Sequence, residues 1–492
     1  MNRALRRISL ACLAMFVLLL VNVNYLQAIE ANNLTTKPGN ARAFAQQFQY
    51  QRGSIYTADN VLVAGSRAVS GIYKYQRYYP HGPEYAPVTG YDSIYGKTGV
   101  EGAENGLLSG SSASLAVHNL IDLITGKPKL GATVALTINS KAQLAAYNAL
   151  RASGKSGALV ALNPQTGAIL AMVSYPTFNP NDYATFDGTQ LNKVDRQYRG
   201  NPNQPLLNRA IQNTYHPGST FKIVTSSALF SAGNYSPQTN VDAPTNLQLP
   251  QSTAQLINFD NEPCTNGSGT GKVPIIFAFT ISCNTVFGEL GMNIGTAAIQ
   301  QQANKFGMNN PSLAIPLPVV SSNYPLARDK AQTAISAIGQ LSDTVSPLQE
   351  AMFSAAIANG GKLMTPYLVQ DVKAPDLSTI QQTTPTVLSQ TVSQGVASEV
   401  SQMMASVVSD AAGTAHQSAG TQVTGGITIA AKTGTAQTGV NNTGLDDAVF
   451  TAFAPVANPR IAVGVIVKGG GLGADASAPI AVQVIKAYLG QG

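Results

Sequence analysis

The first pattern along the chain is an uncharged apolar run over residues 8–26, ISLACLAMFVLLLVNVNYL, with three arginines before it. Its 19 residues come close to the roughly 20 that a helix needs to cross a bilayer. The arginines predict that the N-terminus faces the cytoplasm. We therefore predict a membrane anchor within residues 1–30, with everything after it outside the cytoplasm. A cleaved signal peptide is the competing interpretation, which the poor small-residue pattern at Leu26 and Ala28 disfavours.

Residues 31–130 carry short apolar runs among Gly, Tyr, Ser and Pro, without the long periods of amphipathic helices. This pattern predicts a small β-containing module, which we call the pedestal. The pattern then changes to the β-branched run ATVALTI, typical of a strand, followed by KAQLAAYNALRAS with Leu144, Tyr147 and Leu150 at helical spacing. We place a domain boundary here and assign residues 131–492 to a second folded domain.

This second domain begins and ends with strand-like patterns. SGALVALNPQTGAILAMVSYP predicts two strands around an Asn-Pro-Gln-Thr-Gly turn. Near the C-terminus ITIAAKTGTAQ, AVFTAFAPV and RIAVGVIVKG predict three more strands, followed by the helical PIAVQVIKAYL. Helices are predicted between them at 219–231, 284–305 and 346–358. The order indicates an α+β fold whose sheet is built from both ends of the domain.

Composition and charge narrow the class of protein. A chain of 492 residues is too long for one compact core. Its composition, with 44% hydrophobic and 11% charged residues, indicates large buried cores. Half of the net charge of +6 lies in the three arginines before the apolar run. Because no stripe of Lys and Arg follows, the sequence argues against nucleic-acid binding.

Cysteine and histidine usage gives no metal site. Two cysteines and scattered histidines in the exported part lack metal-ligand spacing, so no metal or cofactor is expected. Cys264 and Cys283 lie where disulfides are chemically permitted. One bridge and two separate buried thiols are both compatible with the sequence, because sequence alone does not give the distance between them.

The segment YHPGSTFK introduces an apolar run, and Pro217 suits the opening of a helix. Ser219 and Lys222 are then three residues apart on one helical face. A serine needs a base beside it, and a lysine can be that base only if burial or a neighbouring cation lowers its pKa. For His216, a structural role at the helix entry is favoured over proton transfer. The Ser-x-x-Lys pattern alone is weak evidence, because it recurs by chance.

Two further short motifs follow the Ser-x-x-Lys pattern along the chain, in an order that could build one active site. The triplet SCN, with Ser282 and Asn284, precedes the helical TVFGELG, and KTG begins at Lys432 on a predicted strand. A second hydroxyl can relay a proton to a leaving amine, an amide can hold a peptide group, and a lysine can attract a carboxylate. Similar triplets at Lys97 and Ser321 are rejected, because no apolar strand precedes the first and no helix presents the second.

Longer stretches agree with these motifs. They are RGSI from Arg52, GKTGVE from Gly96, GALVALNPQTGAILAMVSYP, LNRA from Leu207, IGQLSDTVSPLQ, IANGG and KTGTAQ. Together they resemble the class B penicillin-binding proteins, the D,D-transpeptidases of peptidoglycan synthesis, over nearly the whole chain. The resemblance implies a penicillin-binding or serine β-lactamase-like domain, with an antiparallel sheet and a helical subdomain, behind a dimerisation-like pedestal.

The resemblance also implies residue roles. Ser219 is the acylated nucleophile, Lys222 its base and Ser282 the second catalytic hydroxyl. The implied substrate-binding residues are Asn284, Lys432, Thr433, Gly434 and Thr435. The backbone N–H groups of Ser219 and Thr435 would form an oxyanion hole, a contribution of about 3 to 4 kcal/mol per donor.

The implied reaction releases the terminal D-Ala of a stem peptide through a Ser219 ester and passes the acyl group to an amine on another stem. β-Lactams would acylate the same serine, and a glycosyltransferase and other divisome proteins are the implied partners. A D,D-carboxypeptidase, with water as acceptor, and a non-catalytic β-lactam-binding divisome scaffold are the alternatives. A serine β-lactamase is disfavoured, because no E-x-x-L-N segment lies between Asn284 and Lys432.

Overall fold

The computed structural model describes residues 3–30, 47–115, 124–126, 128–265, 271–420, 426–438 and 444–490. One helix, Arg3–Ala28, comes first. Its segment Arg6–Gln27 is long and apolar enough to cross a membrane, and it is not buried against the rest of the described chain. This length and composition fit the predicted anchor, although a signal sequence shares them.

A five-stranded antiparallel sheet, the central sheet, forms the core of the second domain. Its strands in spatial order are Ala430–Ala436, Asp447–Ala454, Ile461–Val467, Gly157–Leu162 and Ile169–Tyr175. The predicted hairpin and the three predicted C-terminal strands are confirmed. Ala462 pairs with Leu162, so both ends of the domain meet in one sheet. The α+β prediction is therefore confirmed.

Helices cover both faces of the central sheet. Asp447–Ala454 and Ile461–Val467 are buried along their whole length, on both faces. Pro347–Ala358 packs against these two strands, and so does Gly473–Leu489, which also contacts Ser140–Ala152. Burial on both faces explains why these strands have continuous rather than alternating apolar runs in the sequence.

The remaining helices and small sheets of the second domain carry most of the motifs. The predicted helix over 284–305 is two helices, Asn284–Ile294 and Thr296–Lys305, separated at Gly295 with φ of 81°. Further helices are Gly188–Arg199, Arg209–Gln212, Lys222–Ser231, Ile275–Thr280, Lys330–Ser336 and Gln394–Ser409. Two-stranded sheets pair Asn240–Asp242 with Lys272–Pro274, Asn246–Gln248 with Gln255–Ile257, and Lys362–Met364 with Val387–Gln390.

A second, mixed sheet joins the pedestal to the C-terminal half. Its strands in spatial order are Thr379–Gln382, Val369–Lys373, Thr133–Leu136, Ile55–Tyr56, Leu62–Ala68 and Tyr75–Tyr78. Thr133–Leu136 is parallel to Ile55–Tyr56 and antiparallel to Val369–Lys373. The two sides of the expected boundary near residue 130 thus share one sheet. The pedestal helices are Gly82–Thr89, Gly99–Ala103 and Asn105–Leu108, beside the short hairpin Asp92–Ser93 and Gly96–Lys97.

Charged side chains are buried together inside the pedestal. Glu101 is completely buried and accepts hydrogen bonds from Arg52 Nε at 2.6 Å and Arg77 Nε at 2.5 Å. Asp92 lies 3.6 Å from Arg52 Nε and 3.0 Å from Lys97 Nζ. Burial by itself raises the pKa of the Glu101 carboxyl, but Arg77 and Arg52 lower it below its usual value. The carboxylate therefore stays ionised between the two guanidinium groups.

Replacing Glu101 by Gln keeps the shape of this side chain and removes its charge. Because Arg52 and Arg77 would lose their anionic partner, we expect E101Q to lower the free energy of unfolding by about 3 to 5 kcal/mol in urea titrations. The matched control is Asp242→Asn at the exposed ion pair with Lys272, where N and O are 3.5 Å apart. This control should change the same quantity by less than about 1 kcal/mol. An equally small effect of both substitutions would contradict the prediction.

Candidate active site

Ser219 lies in a short 3₁₀ turn, Gly218–Phe221, which the α-helix Lys222–Ser231 continues directly. The first turn of the predicted helix is thus tighter than an α-helix. Because residues three apart eclipse one another in a 3₁₀ turn, Ser219 and Lys222 stand one above the other. Lys222 Nζ lies 3.0 Å from Ser219 Oγ. Ser219 is half-buried and Lys222 is completely buried.

The amine of Lys222 has three further neighbours, all from the second motif. Its Nζ lies 2.7 Å from the Ser282 carbonyl oxygen, 2.8 Å from Asn284 Oδ1 and 3.3 Å from Ser282 Oγ. The first two of these oxygens can only accept hydrogen bonds. The Lys222 amine is therefore held between Ser219 and the second motif.

The backbone of the second motif bends sharply before its helix. Ser282 has a φ of 62°, in the left-handed region that residues other than glycine rarely adopt. The helix Asn284–Ile294 begins two residues later, and Asn258 Oδ1 accepts from the backbone N–H of Asn284 at 2.9 Å and of Thr285 at 3.1 Å. These hydrogen bonds hold the helix start in place and so support the strained conformation of Ser282.

A disulfide ties the same motif to the loop before it. Cys264 and Cys283 are bonded, with their Cα atoms 5.9 Å apart. Of the two alternatives that the sequence left open, the structure has the bridge. Cys283 stands between Ser282 and Asn284, so the disulfide restrains the backbone of the motif itself.

Lys432 approaches from Ala430–Ala436, the edge strand of the central sheet. Its Nζ donates to Ser282 Oγ at 2.8 Å and to the Thr433 carbonyl oxygen at 3.0 Å. The hydroxyl of Ser282 therefore lies between two lysine amines. The Thr433 hydroxyl is 2.7 Å from Thr414 Oγ1, a neighbour that no sequence motif indicates.

Glycines allow close contact between the edge strand and the 3₁₀ turn Gly218–Phe221, which carries Ser219 and is called the nucleophile turn below. A Cβ atom on Gly218 would lie 2.8 Å from the Thr435 carbonyl oxygen, and one on Gly434 would lie 2.8 Å from the Pro217 carbonyl oxygen. Gly218 also has a φ of 55°, which favours glycine. This contact brings the backbones of Ser219 and Thr435 close together, where the resemblance places the oxyanion hole.

Burial governs the charge of both lysines. It lowers the pKa of Lys222 well below its usual value, and the nearby Lys432 lowers it further. Burial also lowers the pKa of Lys432 to about 7. The requirement stated from the sequence, a lysine that burial or a neighbouring cation makes less basic, is met by both effects at Lys222.

The short motifs do not include two polar residues that support the site, Glu350 near the nucleophile turn and Asn258 at the second motif. Thr220 Oγ1 lies 2.9 Å from Oε1 of the buried Glu350. Burial raises the pKa of Glu350 to about 8, although the hydrogen bond with Thr220 opposes this rise. A lone acid inside the apolar helix PLQEAMFSAAIA was the available sequence signal. Asn258, in contrast, leaves no pattern in the sequence.

The rejected sequence matches lie in other surroundings. Lys97 pairs with Asp92 inside the pedestal. In the SSN triplet, Ser322 Oγ accepts from the backbone N–H of Ser346 at 3.1 Å, which is a structural contact. His216 Nδ1 lies 2.8 Å from the carbonyl oxygen of Asp343, as expected for a structural residue at the helix entry.

Two parts of the chain match known families. Residues 157–486 match the family described as the penicillin binding protein transpeptidase domain. Residues 52–134 match the family described as the penicillin binding protein A dimerisation domain.

Whole proteins are similar as well. The chain is 41% identical over 505 residues to the peptidoglycan D,D-transpeptidase PbpA of Mycolicibacterium smegmatis, covering 100% of both chains. It is 38% identical over 499 residues to the protein of the same name from Mycobacterium tuberculosis, covering 99% of both. The ceftriaxone acyl-enzyme complex of penicillin-binding protein A from M. tuberculosis superposes with a TM-score of 0.86 at 37% identity, covering 90% of this chain and 100% of that one.

Lys222→Met tests the burial of the amine. The unfolded chain keeps Lys222 protonated up to about its usual pKa of 10.5, whereas the folded chain releases the proton at much lower pH. Between these values the unfolded state binds one more proton, so the free energy of unfolding rises by about 1.4 kcal/mol per pH unit. K222M should lack this contribution, whereas the similar contribution of Lys432 above about pH 7 remains, so its free energy of unfolding should rise less steeply with pH. Urea titrations of both proteins at several pH values up to about 10 measure it, and parallel curves would contradict the assignment.

Proposed function

Because this chain belongs to the penicillin-binding protein transpeptidase family, we propose that Ser219 is the residue on which it forms its acyl-enzyme. The chain is a peptidoglycan D,D-transpeptidase, a serine-type acyltransferase of cell wall synthesis. One observation carries the assignment of Ser219: its Oγ lies 3.0 Å from the buried amine of Lys222. β-Lactams would acylate the same oxygen and block the reaction.

The hydrogen-bond pattern supports Lys222 as the base. A neutral amine has two N–H donors and one lone pair. The Ser282 carbonyl oxygen and Asn284 Oδ1, at 2.7 and 2.8 Å, take the two donors. The lone pair is then left for the hydroxyl of Ser219. Lys222 accepts that proton as Ser219 Oγ attacks the carbonyl carbon of the penultimate D-Ala.

The rest of the reaction uses groups already in contact. The backbone N–H groups of Ser219 and Thr435 stabilise the negative charge that develops on the substrate oxygen. As the C–N bond breaks, the amine of the terminal D-Ala takes the proton from Lys222 through the hydroxyl of Ser282, which lies 3.3 Å from Lys222 Nζ. An amine of a second stem peptide then attacks the ester, loses its proton to Lys222, and the Ser219 hydroxyl is restored.

The edge strand and the second motif provide the groups for substrate binding. Lys432, with the hydroxyls of Thr433 and Thr435, receives the terminal carboxylate of the stem peptide. Asn284 holds a peptide group of the substrate, and Gly434 permits the close contact between strand and turn. The bound carboxylate would raise the pKa of Lys432 from about 7, because it favours the charged amine.

The arrangement along the chain completes the proposal. Residues 1–30 anchor the protein as a single-pass protein of the cell membrane, residues 31–130 form the pedestal, and residues 131–492 form an extracytoplasmic catalytic domain. The disulfide at Cys283 supports the exported location. A glycosyltransferase and other divisome proteins are the proposed partners, since a transpeptidase needs newly polymerised glycan strands to cross-link.

Fluorescent penicillin tests the nucleophile and the strand lysine. Ser219→Ala should abolish covalent labelling, because it removes the hydroxyl that lies 3.0 Å from the buried Lys222 amine. Lys432→Met should slow labelling by about 100-fold, since a charge-assisted contact to the carboxylate is lost. Labelled bands on a denaturing gel, followed over time, measure both effects.

The rejected triplets supply matched controls for this experiment. Ser321→Ala and Lys97→Met change the same residue types away from the site, and both should label at the rate of the unmodified protein. Full labelling of S219A, or equal slowing by K97M and K432M, would show that the site is assigned to the wrong residues.

Removal of residues 1–30 tests the anchor and the partner together. The shortened protein should move from the membrane fraction to the soluble fraction while it keeps penicillin labelling. Cross-links from the full-length chain to a glycan-polymerising membrane protein should be lost with it. A shortened protein that still sediments with membranes, or a mature protein that lacks this segment, would refute the anchor.

A further inference from the structure

Glu350 is a buried acid beneath the nucleophile turn for which the reaction described above has no role. It lies on the helix Pro347–Ala358 and is completely buried. Its Oε1 lies 2.9 Å from Oγ1 of Thr220, the residue that directly follows Ser219. Its Oε2 has no hydrogen-bond partner among the described residues. An acid in an apolar helix, aimed at the turn that carries the nucleophile, calls for an explanation.

A count of protons defines the state of this acid. The Thr220 hydroxyl has one proton but two neighbouring acceptors, the Pro217 carbonyl oxygen at 2.8 Å and Glu350 Oε1 at 2.9 Å. Both contacts are hydrogen bonds at the same time only when Glu350 is protonated: the hydroxyl proton then goes to the Pro217 carbonyl oxygen, and Thr220 Oγ1 accepts from Glu350. Complete burial of Glu350 favours this neutral form. Its unpartnered Oε2 is then a neutral carbonyl oxygen, which costs less to bury than a carboxylate oxygen.

The helix that carries Glu350 is fixed to the central sheet. Thr451 Oγ1 donates to the carbonyl oxygen of Glu350 at 2.6 Å. A Cβ atom on Gly464 would lie 2.7 Å from Glu350 Cβ, so the helix lies directly on the sheet at this point. Hydrogen bonds thus run from the sheet through Glu350 and Thr220 to Pro217.

This series of hydrogen bonds ends where the nucleophile turn contacts the edge strand. The Pro217 carbonyl oxygen is the atom that a Cβ on Gly434 would meet at 2.8 Å. If Pro217 moved, the turn would move relative to the edge strand. Ser219, two residues after Pro217, would then lose its alignment with the N–H of Thr435.

We propose that Glu350 is a positioning residue, which in its protonated form holds Thr220 and Pro217 and thereby aligns Ser219 with the edge strand. The inference rests on the proposed role of Ser219 as nucleophile. Because alignment matters when the covalent bond forms, Glu350 acts on the acylation step and not on the preceding non-covalent binding of a β-lactam.

Two substitutions of Glu350 separate hydrogen bonding from volume. E350Q keeps an N–H that can donate to Thr220, whereas E350M fills a similar volume and cannot donate. Stopped-flow acylation of the full chain by fluorescent penicillin gives the non-covalent dissociation constant and the acylation rate constant separately. We expect E350M to lower the rate constant about tenfold with a dissociation constant within about twofold, and E350Q to keep both within about twofold.

Thr220→Val keeps the shape of the side chain and removes the hydroxyl, so it decides the question if E350M does not fold. T220V should slow acylation as E350M does, and the double variant should be no slower than either, because all three break the same chain of hydrogen bonds. Urea titration of each variant identifies loss of folding.

Three outcomes would overturn the positioning role: E350M acylating at the full rate, E350Q as slow as E350M, or a folded T220V at the full rate. S219A in the same series separates this role from the proposed function. If S219A still labels, Ser219 is not the nucleophile. If S219A is inert while E350M and T220V react at the full rate, only the positioning role is wrong.

Discussion

The burial of the Lys222 amine is the constraint on which the rest of the site depends. In water this amine would be charged, and a charged amine has no lone pair for the proton of Ser219. Burial removes the stabilising water, and a second amine, that of Lys432, repels a proton from it. The basicity that the proposed acylation needs therefore follows from where the core places one side chain, and not from a separate catalytic acid or base.

Three separate parts of the chain must meet for this to work. The nucleophile turn, the bent second motif and the edge strand are each held by a different kind of contact. Glycine backbones let turn and strand approach, a left-handed serine turns the second motif inward, and a disulfide restrains that motif from behind. Because each part has its own support, both lysine amines are held against the Ser282 hydroxyl.

The sequence indicated the parts more fully than their connections. Long apolar runs predicted the central strands, because burial on both faces leaves no polar positions, and motif order distinguished Lys432 from the similar triplet at Lys97. The 3₁₀ turn at Ser219 was not predicted, since its helical pattern does not differ from that of an α-helix. Contacts such as Thr220 with Glu350, or Asn258 with the second motif, join residues far apart in sequence and leave no local pattern.

The mixed sheet that joins the pedestal to the C-terminal half also depends on contacts between distant residues, which the sequence pattern does not indicate. Thr133–Leu136 reads as an ordinary strand, and its two neighbours, Ile55–Tyr56 and Val369–Lys373, lie far away in either direction along the chain. Periodicity identifies such a strand but does not choose its partners. For the same reason, the sequence left open whether Cys264 and Cys283 are bonded.

The pairing of Ala462 with Leu162 has a consequence for how the protein matures. The two residues are about 300 positions apart, and contacts of such long range form late in folding. With the extracytoplasmic location proposed for this domain, a chain still emerging from a translocation channel would already contain Ser219 and Lys222 but lack the strands that complete the sheet. Such a chain is expected to be inert until the strands Ala430–Ala436, Asp447–Ala454 and Ile461–Val467 have also crossed.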